Sequence, residues 1–102
     1  MKHVLIKYRF EDGSPGEWHD EVARFVKAIE ADPELGGKIT YRAMKTPDGD
    51  YYHLATVVDQ EAANLLGERD FFERYTARVD EISKGTLETS PLEIIAQTER
   101  QA

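Results

Sequence analysis

The sequence predicts an α+β fold of the ferredoxin-like, split β-α-β kind, in the order strand, helix, strand, strand, helix, strand. Three observations carry this. Residues 2–10 alternate between two faces, as a half-buried strand does. Two later stretches repeat apolar residues at helical spacing. Between them, Thr46-Pro47-Asp48-Gly49-Asp50 separates two β-rich runs, which is a hairpin signal. The expected architecture is a four-stranded antiparallel sheet with helices on one face, in one domain over residues 1–102.

The first strand sends Val4, Ile6, Tyr8 and Phe10 to one face and His3, Leu5, Lys7 and Arg9 to the other. Glu11-Asp12-Gly13 turns the chain, and Ser14-Pro15-Gly16-Glu17 reads as a helix start. A Ser14 cap would satisfy an orphan N–H, Pro15 stands where no N–H is needed, and Glu17 can reach back. Trp18, Val22, Phe25, Val26 and Ile29 then form one apolar stripe, which Asp32-Pro33 ends. Residues 38–45 and 51–58 are the hairpin strands. A loop of three residues and a loop of four place His53 on opposite sheet faces, and the sequence leaves both open.

Asp59 can cap a second helical region. Ala62, Ala63, Leu65 and Leu66 form a short piece, Gly67 weakens the middle, and Phe71, Phe72, Tyr75, Val79 and Ile82 continue as a longer stripe closed by Lys84-Gly85. After Ser90-Pro91, residues 92–98 read as the last strand, with a polar tail at 99–102.

Composition bounds the function. Twenty acidic against 13 basic residues give a formal charge of −7, which repels polyanions and points away from nucleic acid. With no cysteine, disulfides, thiolate metal sites and thiol nucleophiles are excluded. The apolar run at the N-terminus is too short for a signal peptide and no run reaches the length of a membrane span, so the expectation is a soluble cytoplasmic protein with no membrane partner. The three histidines are not at ligand spacing, so no metal site is expected.

The face opposite the helices carries His3, Leu5, Lys7 and Arg9. If Ile39 and Tyr41 face the helices, then Thr40, Arg42 and Met44 join that second face, with Glu93, Ile95 and Gln97 from the last strand. It is too apolar to ignore and too polar for a dry core, so back-to-back packing into a homodimer is the expectation. Lys7, Arg9 and Arg42 on this face would either hold an anionic ligand or pair with carboxylates such as Glu93.

The run from the third strand into Asp59-Gln60-Glu61-Ala62-Ala63, followed by Phe71-Phe72-Glu73-Arg74-Tyr75, resembles the dimeric α+β barrel superfamily, in particular its antibiotic-biosynthesis-monooxygenase-like branch. The resemblance covers nearly the whole chain in architecture. It implies a dimeric barrel and an enzyme that needs no cofactor, acting on a planar aromatic or polyketide-like compound. The chain also departs from the pattern. Residues 60–84 hold no histidine where haem-degrading relatives carry one, and the only tryptophan, Trp18, is on the first helix. The Asn/Trp/Arg set of quinone-forming relatives is not present as a unit; the sole asparagine is Asn64.

His53 is the leading candidate for proton transfer, mid-strand and preceded by Tyr51 and Tyr52. On this reading His53, Tyr8, Tyr41 and Tyr52 handle protons, Arg42 holds an anionic oxygen, and Trp18 and Phe72 wall a small-molecule cleft. A hydrogen-bonded structural histidine and an ordinary aromatic core are the competing readings of the same residues. Two other functions fit the same fold: a non-catalytic small-ligand binding or sensing dimer, and an isomerase or lyase.

Overall fold

The computed structural model describes residues 1–10 and 15–98. The Glu11-Asp12-Gly13 turn, the Ser14 cap and the tail at 99–102 lie outside the described residues. The elements are β1 (Lys2–Arg9), α1 (Pro15–Ala31), β2 (Ile39–Lys45), β3 (Asp50–Val57), α2 (Gln60–Gly67), α3 (Asp70–Ser83) and β4 (Glu88–Leu92). The four strands form one antiparallel sheet in the order β2-β3-β1-β4, and all three helices cover one face. This is the ferredoxin-like arrangement that the pattern predicts.

The stripes read from the sequence become the core. Trp18, Val22, Phe25 and Ile29 of α1 and Tyr75, Val79 and Ile82 of α3 are buried against Tyr8 and Tyr51 of the sheet. Phe25 and Tyr75 stack nearly parallel with centroids 3.8 Å apart, and Trp18 lies over Tyr75 at 5.6 Å. The break at Gly67 is real: α2 ends there and α3 begins at Asp70. Asp59 caps α2 by accepting from the Ala62 N–H at 2.9 Å.

The hairpin loop has three residues. Thr46 N–H donates to Asp50 O at 2.8 Å and Gly49 N–H to Thr46 O at 3.1 Å, leaving Pro47, Asp48 and Gly49 between the closing pair. Gly49 has φ +95°, the left-handed residue that follows a type I turn in such hairpins. The register follows: Lys45 faces Tyr51, Ala43 faces His53 and Tyr41 faces Ala55. Across β1, Ile6 faces His53 and Tyr8 faces Tyr51. His53 therefore points to the helices.

The last strand differs from expectation. It is β4 at Glu88–Leu92, and residues 93–98 have no regular structure, so Glu93, Ile95 and Gln97 do not join the sheet. Ser90-Pro91 reads as a break, yet Pro91 sits inside β4 opposite Val4. An edge strand tolerates proline where its missing N–H would point away from the sheet. The second sheet face instead takes Glu88, Ser90 and Leu92 from β4, opposite Lys7, Leu5 and His3.

Two glycine substitutions should shift stability in opposite directions. Gly49→Ala forces a side chain into the left-handed region and should cost about 1 kcal/mol. Gly67→Ala meets nothing within 4 Å in a helical position and should add about 0.5–1 kcal/mol. Urea unfolding of both variants beside the wild type reads the two signs.

Candidate functional site

The residues that face inward around the middle of the sheet build one hydrogen-bonded chain. Trp18 Nε1–H donates to the Tyr8 hydroxyl at 2.8 Å. Tyr8 Oη lies 2.8 Å from His53 Nε2, and His53 Nδ1 lies 2.7 Å from Tyr41 Oη and 3.2 Å from Tyr75 Oη. The two tyrosine oxygens are 3.4 Å apart. His53 is wholly buried, as are Tyr8 and Trp18 to within 1%.

The direction of this chain follows from donor counting. Tyr8 Oη accepts the Trp18 proton, and its own proton has His53 Nε2 as its buried acceptor. Left without it, a buried hydroxyl proton would go unpaired, at about 1–3 kcal/mol. The neutral imidazole therefore carries its proton on Nδ1 and donates to Tyr41, with Tyr75 beside it. Tyr41 and Tyr75 bring two hydroxyl protons and can make one bond between them. One O–H is thus left to face outward.

Tyr41 and Tyr75 line a cavity of about 350 Å3 between the sheet and α2 and α3. Val4, Ile6, Ala55 and Val57 form the sheet side, and Leu66, Phe72 and Val79 the helix side, with Tyr41, His53 and Tyr75 at one end. Asp80, Thr76 and Thr89 also line it, and Asp80 is the one charged side chain among the described lining residues. The volume suits a small ligand, and an apolar wall with a few converging polar groups is the usual form of such a site. Small side chains at Ala55 and Ala63 leave the room.

Burial keeps the whole chain neutral. It pushes the His53 imidazole down to about 4 and the Tyr41 phenol up to about 12. It also raises Tyr8 and Tyr75 well above the ordinary phenol value. At neutral pH the arrangement is a preorganised donor aimed at the cavity. Moving a proton out along it would leave a buried tyrosinate at Tyr8, so it polarises a ligand oxygen more readily than it protonates one.

Of the residues singled out from the sequence, His53, Tyr41 and Phe72 line the cavity. Tyr8 stands behind His53 and reaches the cavity only through it. Trp18 is not a cleft wall; it is buried behind the sheet-side tyrosine and orients it. Tyr52 and Arg42 lie on the opposite sheet face, because they alternate with His53 and Tyr41 along their strands. Tyr52 there has the Lys7 ammonium 5.8 Å from its ring centroid. Arg9 does not join Lys7 and Arg42 in an anion site; it pairs with Asp50 at 2.5 Å. Tyr75 takes the place expected of Tyr52. Its signal was the inward stripe of α3, where a tyrosine among phenylalanines brings a polar atom to the core. His19 is exposed on α1, and its Nε2 lies 2.7 Å from the Tyr51 hydroxyl. Among the described residues no helix is long and apolar enough to cross a membrane, and no three His, Asp or Glu side chains gather as a metal site.

No family model matches the sequence, and no curated protein matches it. Solved structures do match the fold. SnoaB, a cofactor-independent oxygenase from Streptomyces nogalater, superposes with a TM-score of 0.74 at 16% identity, covering 97% of this chain and 98% of that one. An antibiotic biosynthesis monooxygenase gives 0.76 at 10% identity over 94% of this chain and 100% of its own. A dimeric ferredoxin-like protein of unknown function from Jannaschia sp. CCS1 gives 0.64 at 15% identity over 92% and 100%. The fold is therefore the one that the sequence resemblance implies, shared with antibiotic-biosynthesis-monooxygenase-like proteins; identities this low speak to the fold alone.

The buried imidazole makes stability depend on pH. Unfolded, His53 titrates near 6.5; folded, near 4. Between these values the unfolded chain holds more protons, so stability is complete above about pH 6.5 and falls as pH drops toward 4. The loss is on the order of 3 kcal/mol. Nitrogen-15 NMR of the imidazole should show the neutral, Nδ1-protonated form from pH 8 to pH 5. A midpoint near 6.5 would contradict the buried chain.

Proposed function

We propose that the protein is an enzyme acting on a small, neutral, planar aromatic or polyketide-like molecule, whose carbonyl or phenol oxygen rests against the Tyr41 and Tyr75 hydroxyls. The observation that carries this is His53, held between Tyr8 and the Tyr41–Tyr75 pair at the edge of an apolar cavity that His53, Tyr41 and Tyr75 line. A neutral ligand fits because the described lining residues include no cation, and Asp80 would repel an anion. The fold shared with a cofactor-independent oxygenase supports the same reading.

The chemistry runs through an oxyanion. A methylene conjugated with the ligand carbonyl through its aromatic rings loses a proton to the Asp80 carboxylate, and the charge that develops on oxygen is met by the tyrosine O–H. The resulting carbanion donates its electrons to dioxygen in forming a C–O bond. The peroxide regains the proton and loses water, leaving a ketone. One dioxygen is consumed, one of its atoms enters the product and the other leaves as water. His53 and Tyr8 hold the donors in place, and Trp18 holds Tyr8.

Anthrone, which has a carbonyl and an acidic methylene in one planar molecule, is the probe. Oxygen uptake with wild-type protein should match anthrone consumed one to one. The Tyr41→Phe/Tyr75→Phe variant should lose about 10²-fold in rate, the scale of removing one preorganised donor. Equal rates in the variant would remove the oxyanion reading. Exchange of the methylene protons without oxygen uptake would point to an isomerase, and binding without either to a ligand sensor.

We further propose that two copies pack through the helix-free sheet face. Leu5, Tyr52 and Leu54 are half-buried there, and Met44 and Leu92 are 47% and 44% exposed. Such a surface gains from a second copy, and one protein of the same fold is described as dimeric. Light scattering should give twice the chain mass for the wild type and the monomer mass for Leu54→Asp. A monomeric wild type at tens of micromolar would end the dimer proposal.

A further inference from the structure

A second recess lies outside the sheet-side cavity, in the outer groove between α1 and α3. It measures about 390 Å3 and is lined by Glu21, Arg24, Phe25 and Ala28 of α1 and by Phe71, Arg74, Tyr75 and Arg78 of α3. Each set follows the spacing of one helix face, so two seams meet. Arg78 pairs with Glu21 at 3.2 Å at one end, and Phe25 stacks on Tyr75 in the middle. At the other end Phe71 reaches the edge of Phe25, with centroids 6.0 Å apart.

The charges of this groove are unlike those of the rest of the chain. Three arginines and one glutamate line it, a net of +2 within a protein of −7. The glutamate is already taken by Arg78, which also reaches Glu81 at 3.2 Å. Arg24 and Arg74 are exposed and have no ion pair or side-chain hydrogen bond among the described residues. Phe25, Phe71 and Tyr75 share the lining with these two arginines.

We propose that this groove binds a small aromatic carboxylate. Its ring would lie along Phe71 and the Phe25–Tyr75 stack, and its carboxylate would be held by the Arg24 and Arg74 forks. A planar guanidinium suits both duties, since it pairs with a carboxylate in bidentate fashion and stacks on rings. The site is independent of the chemistry proposed at His53. It is not isolated from it, because Phe25 and Tyr75 line both recesses.

Calorimetric titration with naphthoate and with the uncharged naphthamide tests the site, using the full-length protein. Wild type should bind naphthoate more tightly than naphthamide, and more weakly as salt rises. Arg24→Gln/Arg74→Gln should lose about tenfold in naphthoate affinity while naphthamide is unchanged. Ala55→Leu, which narrows only the sheet-side cavity, should bind naphthoate as the wild type does. Naphthoate affinity that survives the arginine double variant, or that Ala55→Leu abolishes, would overturn the proposal, as would no binding to the wild type. Circular dichroism of each variant confirms that a loss is not unfolding.

Discussion

The structure depends on housing a neutral imidazole at the centre of its sheet. His53 is fully buried, and an imidazolium there would lose its hydration without gaining a carboxylate. The protein answers with hydroxyls, which satisfy both ring nitrogens without adding charge. Trp18 completes the chain from the helix side, and no buried side-chain polar atom among the described residues lacks a partner. Such a network is sharply directional. Trp18, Tyr8, His53, Tyr41 and Tyr75 come from five elements, so α1, β1, β2, β3 and α3 are held in register by one set of bonds.

That demand also shapes the cavity. Tyr41, His53 and Tyr75 occupy one end of the space between layers, while Ala55 and Ala63 leave the remainder unfilled. A core of this size ordinarily closes such gaps, because each void forfeits dispersion contacts. On the proposed function, this apolar space is room for a ligand. The break between α2 and α3 matters here: it lets Leu66 and Phe72 approach the sheet from two helix directions.

Charge is sorted by layer. The sheet-side cavity has a single carboxylate on its lining, the helix-free sheet face mixes Lys7, Arg42 and Glu88 with apolar groups, and the outer groove gathers arginines. Under the readings proposed above, the three surfaces would take different occupants: a neutral ring, a second copy of the chain and an aromatic anion. The protein's overall acidity would not reveal this, since net charge averages over surfaces that a ligand meets one at a time.

The amino-acid sequence by itself determined the element order, the inward stripes of the helices and the parity within each strand. Tyr8 faces with Ile6 and Val4, and Tyr41 with Ile39, because a strand's period of two leaves no choice. Parity between strands is another matter. Whether His53 or Tyr52 joins Tyr8 in the core depends on one residue of loop, and Gly49 in the left-handed region resolves it only once the turn is closed. The same holds for Arg42, whose place opposite the site follows from that register. Pro91 signals a break in sequence and becomes strand only because β4 lies at the edge. Sequence pattern sets local periodicity; pairing partners, edge position and the shared burial of Tyr8, His53, Tyr41 and Tyr75 are long-range facts that only the packed chain decides.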